Sequence, residues 1–251
     1  MSPKRKPDID PKLLLEAAVS IERDLSILTG PELISRYASP DQQMVFQHIT
    51  GKALGDVAAD HNPFWHYILQ TWYKQPKYRS MLHPPRHRDE VAKAILLMAT
   101  GQLDKYDGVH HQYPRRALKS FFAKMAADWL PKRHKIVEDQ DILILYSHNL
   151  DRRAKGALES IKNMNRHNRY IQAHFGANCT TLSGKPAHFV LPPSEWGEKE
   201  QWDWPCRDPE FMADQKCMTA EAANSRKAGA GFNYKFIDDW EAEDSRDSDT
   251  V

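Results

Sequence analysis

Three things are missing or scarce in this sequence, and each absence removes a class of protein. No apolar run approaches the roughly 18 residues that a membrane-crossing helix needs, and Met1–Asp10 is basic and Pro-rich rather than built like a signal sequence. No membrane is therefore expected among the partners, and no export. Charge of one sign is also lacking: 35 Lys and Arg stand against 34 Asp and Glu, so the chain as a whole has no nucleic-acid footprint and any contact with DNA has to be local. Cysteine is scarce, and Cys179, Cys206 and Cys217 are odd in number and without the paired CxxC spacing of a zinc site. Ordinary reduced thiols in a cytosolic setting are the expectation.

What is present suffices for a folded core. A chain of 251 residues with 41% hydrophobic content can form one α/β domain, or one domain with a helical appendage. The first hundred residues read as a helical region. Asp10 precedes Pro11, and Leu13, Leu14, Ala17, Ala18, Ile21 and Leu25 follow at helical spacing. A second helical segment starts at Ser39-Pro40. A third starts near Pro63 and carries Trp65, Ile68, Leu69 and Trp72 on one stripe, and a fourth runs from about Arg88 through Val91, Ala94, Ile95 and Met98 to a stop at Gly101. These faces read as packing surfaces.

After Gly101, short strand-type apolar runs alternate with helical stretches, which is the arrangement of a parallel sheet with crossover helices. Residues 101–251 are therefore read as an α/β core following the helical region 1–100. Val109–Tyr113 is a short candidate strand and Lys119–Leu130 a helix with Phe122, Met125, Ala126 and Trp129 on one face. Asp141–Ser147 (DILILYS) is the strongest buried strand in the chain, and a helix is expected from Leu150 to Arg166 with Ala154, Ala157, Leu158, Ile161 and Met164 inward. Residues 176–230 read as irregular structure with short strands. Phe232–Ile237 is a last strand, ending at Asp238-Asp239, before an acidic, Ser-rich tail. No internal repeat is present.

The chemistry centres on HHQYPRRALKSFF, residues 110–122, where a candidate strand enters a turn, then Lys119-Ser120, then a helix. A phosphate-binding loop needs that context, because backbone N–H groups and the positive end of the helix hold phosphates. The Lys reaches the β/γ oxygens and the Ser hydroxyl takes Mg²⁺. Glycine, which the G-x-x-x-x-G-K-[ST] pattern demands, is absent from the loop, so a basic turn before a helix stands as the plain alternative. The second element is YKFIDD, residues 234–239, an apolar strand ending in two carboxylates. In nucleotide hydrolases such acids hold the Mg²⁺ shell and polarise the attacking water, while elsewhere the same pair caps a helix or sits in a solvated turn.

Together these segments resemble the ATPase half of the large terminases of tailed bacteriophages. YPRRALKSFF resembles that family's Walker A region, which often reads Pro-Arg-Gly-x-x-Lys-Ser. DILILYSHNLDRRAKGALESIKNMNRHNRYIQAHFG resembles its second strand and following helix, and GAGFNYKFIDDWEAEDS its lead into Walker B. The similarity spans roughly residues 60–250 and rests on the ordered set of motifs. It implies a P-loop NTPase of the ASCE type, a mostly parallel sheet flanked by helices with an N-terminal helical subdomain. It further implies ATP and Mg²⁺ as cofactors and hydrolysis coupled to translocation of double-stranded viral DNA into a procapsid.

Residue by residue, the resemblance implies a loop of Pro114, Arg115, Arg116, Ala117, Leu118, Lys119 and Ser120. Arg115 would be the Walker A arginine, Lys119 would lie on the β/γ phosphates and Ser120 on Mg²⁺. Asp238 would be the Walker B metal ligand, and Asp239 the carboxylate that activates water in place of the Glu of many relatives. Arg116 departs from the family, standing where Gly is usual. A side chain there crowds the loop if the position needs φ > 0, or adds a phosphate contact. The partners implied are double-stranded viral DNA, the portal protein, the small terminase subunit and further copies of the chain in a ring. The place of work would be the host cytoplasm, transiently at the procapsid portal. The family's nuclease half is not expected in a chain that ends soon after Asp239. A split or decayed fragment that only binds partners, or another P-loop motor such as a helicase, are the rival readings.

Three smaller groups complete the reading. Arg152 and Arg153 open the helix after the 141–147 strand, either as a solvated face or as an arginine finger toward a neighbouring subunit. His110 and His111 alternate along a strand and so cannot jointly hold a metal. Trp196, Trp202 and Trp204 read as packing residues, with base stacking as the alternative.

Overall fold

Proline and a polar cap set the helix starts on the amino-terminal side. In the computed structural model, which describes residues 10–72, 88–103, 105, 119–190, 201–208, 216–222 and 231–238, helix α1 is Pro11–Leu25 and Asp10 accepts the Lys12 N–H at 2.9 Å. Helix α3, Pro40–Thr50, begins with a reciprocal box: Gln42 N–H donates to Ser39 Oγ and Ser39 N–H to Gln42 Oε1, both at 3.3 Å. Helix α5, Pro63–Thr71, is capped by Asn62, which accepts the Trp65 N–H. Helix α6 is Arg88–Ala99, in agreement with the sequence expectation.

Two short helices, α2 (Gly30–Arg36) and α4 (Leu54–Ala59), were not expected from the pattern, because neither is long enough to carry two turns of apolar periodicity. They pack closely at Gly30. A Cβ there would lie 2.1 Å from the Ala58 carbonyl oxygen, so the approach admits only glycine.

Helix α7, Lys119–Arg133, runs three residues beyond the expected Leu130 and continues into a π-helical turn, His134–Glu138. Strand β1 is Ile144–His148, shifted from the expected 141–147. Ile142 and Leu143 are buried, but Leu143 N–H donates to the Asn233 side chain at 2.7 Å and its carbonyl accepts from Asn233 and Tyr234. That local exchange delays the regular ladder. Helix α8, Asp151–His167, and helix α9, Arg169–Phe175, follow, with the Asn168 side chain capping α9.

The sheet is small and mostly parallel. Strands β2 (Gln201–Trp202), β3 (Met218–Ala222), β1 and β4 (Tyr234–Asp238) lie in the order β2-β3-β1-β4. β1 pairs in parallel with β3 and with β4, and β2 pairs antiparallel with β3. Ile144 stands opposite both Met218 and Tyr234, and His148 opposite both Ala222 and Asp238. Three parallel strands flanked by helices establish the α/β class. β4 also reaches one residue further than the expected Phe232–Ile237, which brings Asp238 into the ladder.

Helices from either side of residue 100 share one core, which joins Phe46, Phe64, Tyr67 and Trp72 to Trp129, Ile144, Phe175 and Phe189. Its polar centre is Asp128, fully buried on α7. The carboxylate accepts from Tyr67 Oη on α5 at 2.6 Å, from Lys132 Nζ at 2.6 Å and from Asn165 Nδ2 on α8 at 2.7 Å. Burial pushes the Lys132 ammonium below its ordinary value, while Asp128 beside it opposes the shift. The rings of Trp204, Tyr67, Phe189 and Phe175 surround the ammonium at 4.9 to 5.9 Å. One residue on, Arg133 donates to the Ile27 carbonyl and forks onto Glu32, and the Trp129 indole donates to the Ser26 carbonyl. Burial alone would raise the Glu32 carboxyl, yet Arg133 and the Thr29 N–H outweigh it and hold the group low.

Removing the Asp128 carboxylate leaves Lys132 buried without a counter-charge, so Asp128→Ala is expected to cost about 3–5 kcal/mol in a urea unfolding titration. A loss under about 1 kcal/mol would mean that the three donors find other partners. The fold also carries a pH response. His61 Nε2–H donates to the Leu25 carbonyl at 2.7 Å, and burial, with His66 nearby, lowers its pKa to about 4. An unfolded His keeps its proton up to about 6.5. The unfolded chain thus binds more protons between these values, and the contribution is whole above about pH 6.5 and declines as pH falls to about 4. His61→Gln, which keeps an N–H donor and cannot charge, is expected to flatten the pH dependence of the melting temperature in that window.

Candidate functional site

In a parallel sheet the carboxyl ends of the strands collect on one edge, and ligands are bound in the crevice outside them. Here that edge is formed by His148, Ala222 and Asp238, which stand in register at the ends of β1, β3 and β4. Side chains alternate along each strand, so Tyr146, His148, Phe236 and Asp238 lie on one face and Ser147 and Ile237 on the other.

Asp238 is the acidic group of this edge. It is 7% exposed, and its Oδ2 accepts a hydrogen bond from Tyr146 Oη at 3.1 Å. Among the described residues no Lys, Arg or His forms an ion pair with it, and Oδ1 has no hydrogen-bond partner. A buried carboxylate with one neutral donor is short of compensation, because removing charge from water is costly unless a counter-charge or several donors replace the solvent.

α7 packs against β4, and its continuation places His134 Nε2 2.7 Å from Tyr234 Oη, at the amino end of β4. At 15 residues the helix is roughly 22 Å long. Its first residues are Lys119, half-buried, and Ser120, exposed, and the Phe121 ring that follows packs edge-on against Trp72, just after α5. Helix α8 starts at this edge, with Asp151 just past the end of β1, and Asn165 meets Asp128 fourteen residues later. Its N-terminus turns a partial positive charge toward the edge.

No hydrogen bond or ion pair joins Lys119 or Ser120 to Asp238 among the described residues. Pro114, Arg115, Arg116, Ala117, Leu118 and Asp239 lie outside the described residues, as do Val109–Tyr113 with His110 and His111, and Trp196. Arg152 and Arg153 are exposed in the first turn of α8, at the same edge. Trp204 is buried against Phe189 and Lys132, a packing role. Cys179, Cys206 and Cys217 are free, and burial raises all three thiols, Cys206 to about 12.

No cluster of three or more His, Cys, Asp or Glu that could cage a metal occurs among the described residues, and none of their helices is long and apolar enough to cross a membrane. The donors present fit Mg²⁺ in a different manner. That ion keeps several waters and is held by one or two carboxylates together with phosphate oxygens, so one open carboxylate oxygen suits it and a protein cage is not required.

Tyr146 is the site residue that the sequence reading passed over. DILILYS was read for its apolar content as a buried strand, whereas the signal was the polar tip at every second position, Tyr146 and His148, on the face that Asp238 shares. No family model, no curated protein and no solved structure matches this chain.

Proposed function

We propose that this chain is a Mg²⁺-dependent P-loop ATPase of the large-terminase kind, coupling ATP hydrolysis to movement of double-stranded viral DNA. The observation that carries the reading is Asp238: a buried carboxylate at the carboxyl end of a parallel strand, one oxygen held by Tyr146 and the other without a partner among the described residues. A P-loop enzyme needs a lysine and a hydroxyl at a helix N-terminus facing an acid at the end of a parallel strand. The parallel ladder that ends on Asp238 and a helix that begins with Lys119-Ser120 support the reading.

On this reading the loop Pro114–Ser120 wraps the phosphates with backbone N–H groups. Lys119 and Arg115 neutralise β/γ oxygens, and Ser120 with Asp238 binds Mg²⁺, which supplies charge neutralisation between the phosphates. Asp239, next along the chain, orients and deprotonates the attacking water. Arg116 adds a cation to the same loop. The motifs in order, rather than any one of them, point to terminases, and with them to a ring of copies seated on a portal protein, served by a small terminase subunit in the host cytoplasm.

The binding half of the proposal is checked by calorimetry with Mg-ATP on the full chain and on Lys119→Ala. Loss of one charge-assisted contact to phosphate is expected to weaken binding about ten- to hundredfold. Equal affinity in both, or none in the parent, sinks it. The hydrolytic half rests on Asp239: Asp239→Asn is expected to leave Mg-ATP affinity within about twofold while phosphate release falls by about two orders of magnitude or more. Parental turnover in that variant would give the catalytic role to another group.

A further inference from the structure

The P-loop reading assigns Asp238 to the metal and says nothing of the group that holds Asp238. We infer that Tyr146 is a positioning residue, whose phenol fixes the Asp238 carboxylate so that Oδ1 is presented to the cation; the inference rests on the ATPase reading above.

Four observations carry it. First, the two residues lie on adjacent parallel strands and one face, with Tyr146 one face-position before His148, the residue directly opposite Asp238. The contact is thus set by sheet register, not by a loop that could rearrange. Second, Tyr146 is 1% exposed, and its hydroxyl donates to Oδ2 at 3.1 Å inside the core. Third, that bond is the sole hydrogen bond of the Asp238 carboxylate among the described residues. Fourth, Asp238 closes its strand, so without the phenol nothing described here would fix its terminal torsion, which is soft for a carboxylate.

A buried donor on one oxygen does two things for a ligand. It selects one rotamer before the cation arrives, which lowers the ordering cost of binding. It also leaves the second oxygen as the better-exposed electron pair, the relation seen wherever groups behind metal ligands orient them. A leucine or phenylalanine at this position would fill the same space in the core and supply neither. The polar tip on an otherwise apolar strand thus has a specific use at the edge.

The test uses the full purified chain with a non-hydrolysable ATP analogue, and Mn²⁺ read by electron paramagnetic resonance in place of Mg²⁺. Tyr146→Phe keeps the ring and removes the hydroxyl. It is expected to weaken Mn²⁺ binding about tenfold, while affinity for the analogue without metal is unchanged. In the Asp238→Asn background, Tyr146→Phe is expected to make no further difference, because the phenol acts through the carboxylate. A general packing defect would instead lower metal-free nucleotide affinity, or Mn²⁺ binding equally in both backgrounds, and either result overturns the assignment. Equal Mn²⁺ affinity in the parent and Tyr146→Phe overturns it while leaving the ATPase reading intact; failure of the parent to bind the Mn²⁺-analogue pair removes both. Should Tyr146→Phe not fold, the tyrosine ultraviolet difference spectrum of the unmodified chain serves. A shift on Mn²⁺ addition is expected, and an unchanged spectrum overturns the inference.

Discussion

The way α7 joins the amino-terminal helices to the α/β half of the chain depends on a single carboxylate. Asp128 is fully buried and takes three donors: Tyr67 from α5, Lys132 from one turn further along α7, and Asn165 from α8. A buried charge pair is not in itself a source of stability, since desolvation offsets most of the attraction. Its effect is specificity of arrangement. Rotating α7 about its axis or sliding it by one turn would strand an ammonium and a carboxylate in the core, so competing packings are disfavoured by several kcal/mol. The aromatic box around Lys132 and the fork of Arg133 onto Glu32 extend that lock to α9 and to the amino-terminal helices.

Two of the buried aspartates, Asp128 and Asp238, make an instructive contrast. Asp128 has a cation, a phenol and an amide, which satisfy the carboxylate where water cannot reach. Among the described residues Asp238 has a phenol alone, although it is nearly as buried. The described residues thus complete one carboxylate in the core and not the other, at the edge of the sheet. Physical economy in folding would favour completing both or replacing the second with an apolar residue, as at Phe236 and Ile237 before it. An incomplete buried acid is retained most readily where a ligand completes it.

How much of this was legible in the sequence follows from length and context. Helices α1, α3, α5, α6 and α8 were readable because each has two or more turns of apolar spacing, and three of them open with a polar cap and proline. The seven-residue α2 and six-residue α4 were not, though Thr29 and Glu32 carry a capping-box spacing that marks the start of α2. β3, MTAEA, has one β-branched residue and little alternation; it is a strand because β1 offers a ladder on that side. The apolar face of α7 was read from Phe122, Met125, Ala126 and Trp129; Asp128 was not among the inward residues, and Lys132 and Arg133 fell beyond the expected end at Leu130. They are buried because partners from α5, α8 and α2 arrive from distant parts of the chain, and periodicity holds no record of such partners. Asp238 was legible as a position and not as an environment, for the same reason: its donor is 92 residues away.

On the proposed ATPase reading, the electrostatics of the edge would also bear on the order in which ligands bind. The N-terminus of α8 and the exposed Arg152 and Arg153 make the carboxyl edge attractive to anions, whereas Asp238 repels them. A bare phosphate chain therefore meets opposing fields. A bare Mg²⁺ meets one open carboxylate oxygen and no protein cage among the described residues, too few ligands to displace its hydration shell. Each ligand supplies what the other lacks: the cation removes the repulsion from Asp238, and the phosphates complete the coordination of the cation. Binding energy at such a site resides in the coupling between metal and nucleotide more than in either alone, and by linkage each raises the other's affinity by the same factor. On that reading the Tyr146 hydrogen bond on Asp238 would keep the coupling oriented, since a carboxylate free to turn its open oxygen away would bind the phosphates no better and the metal less well.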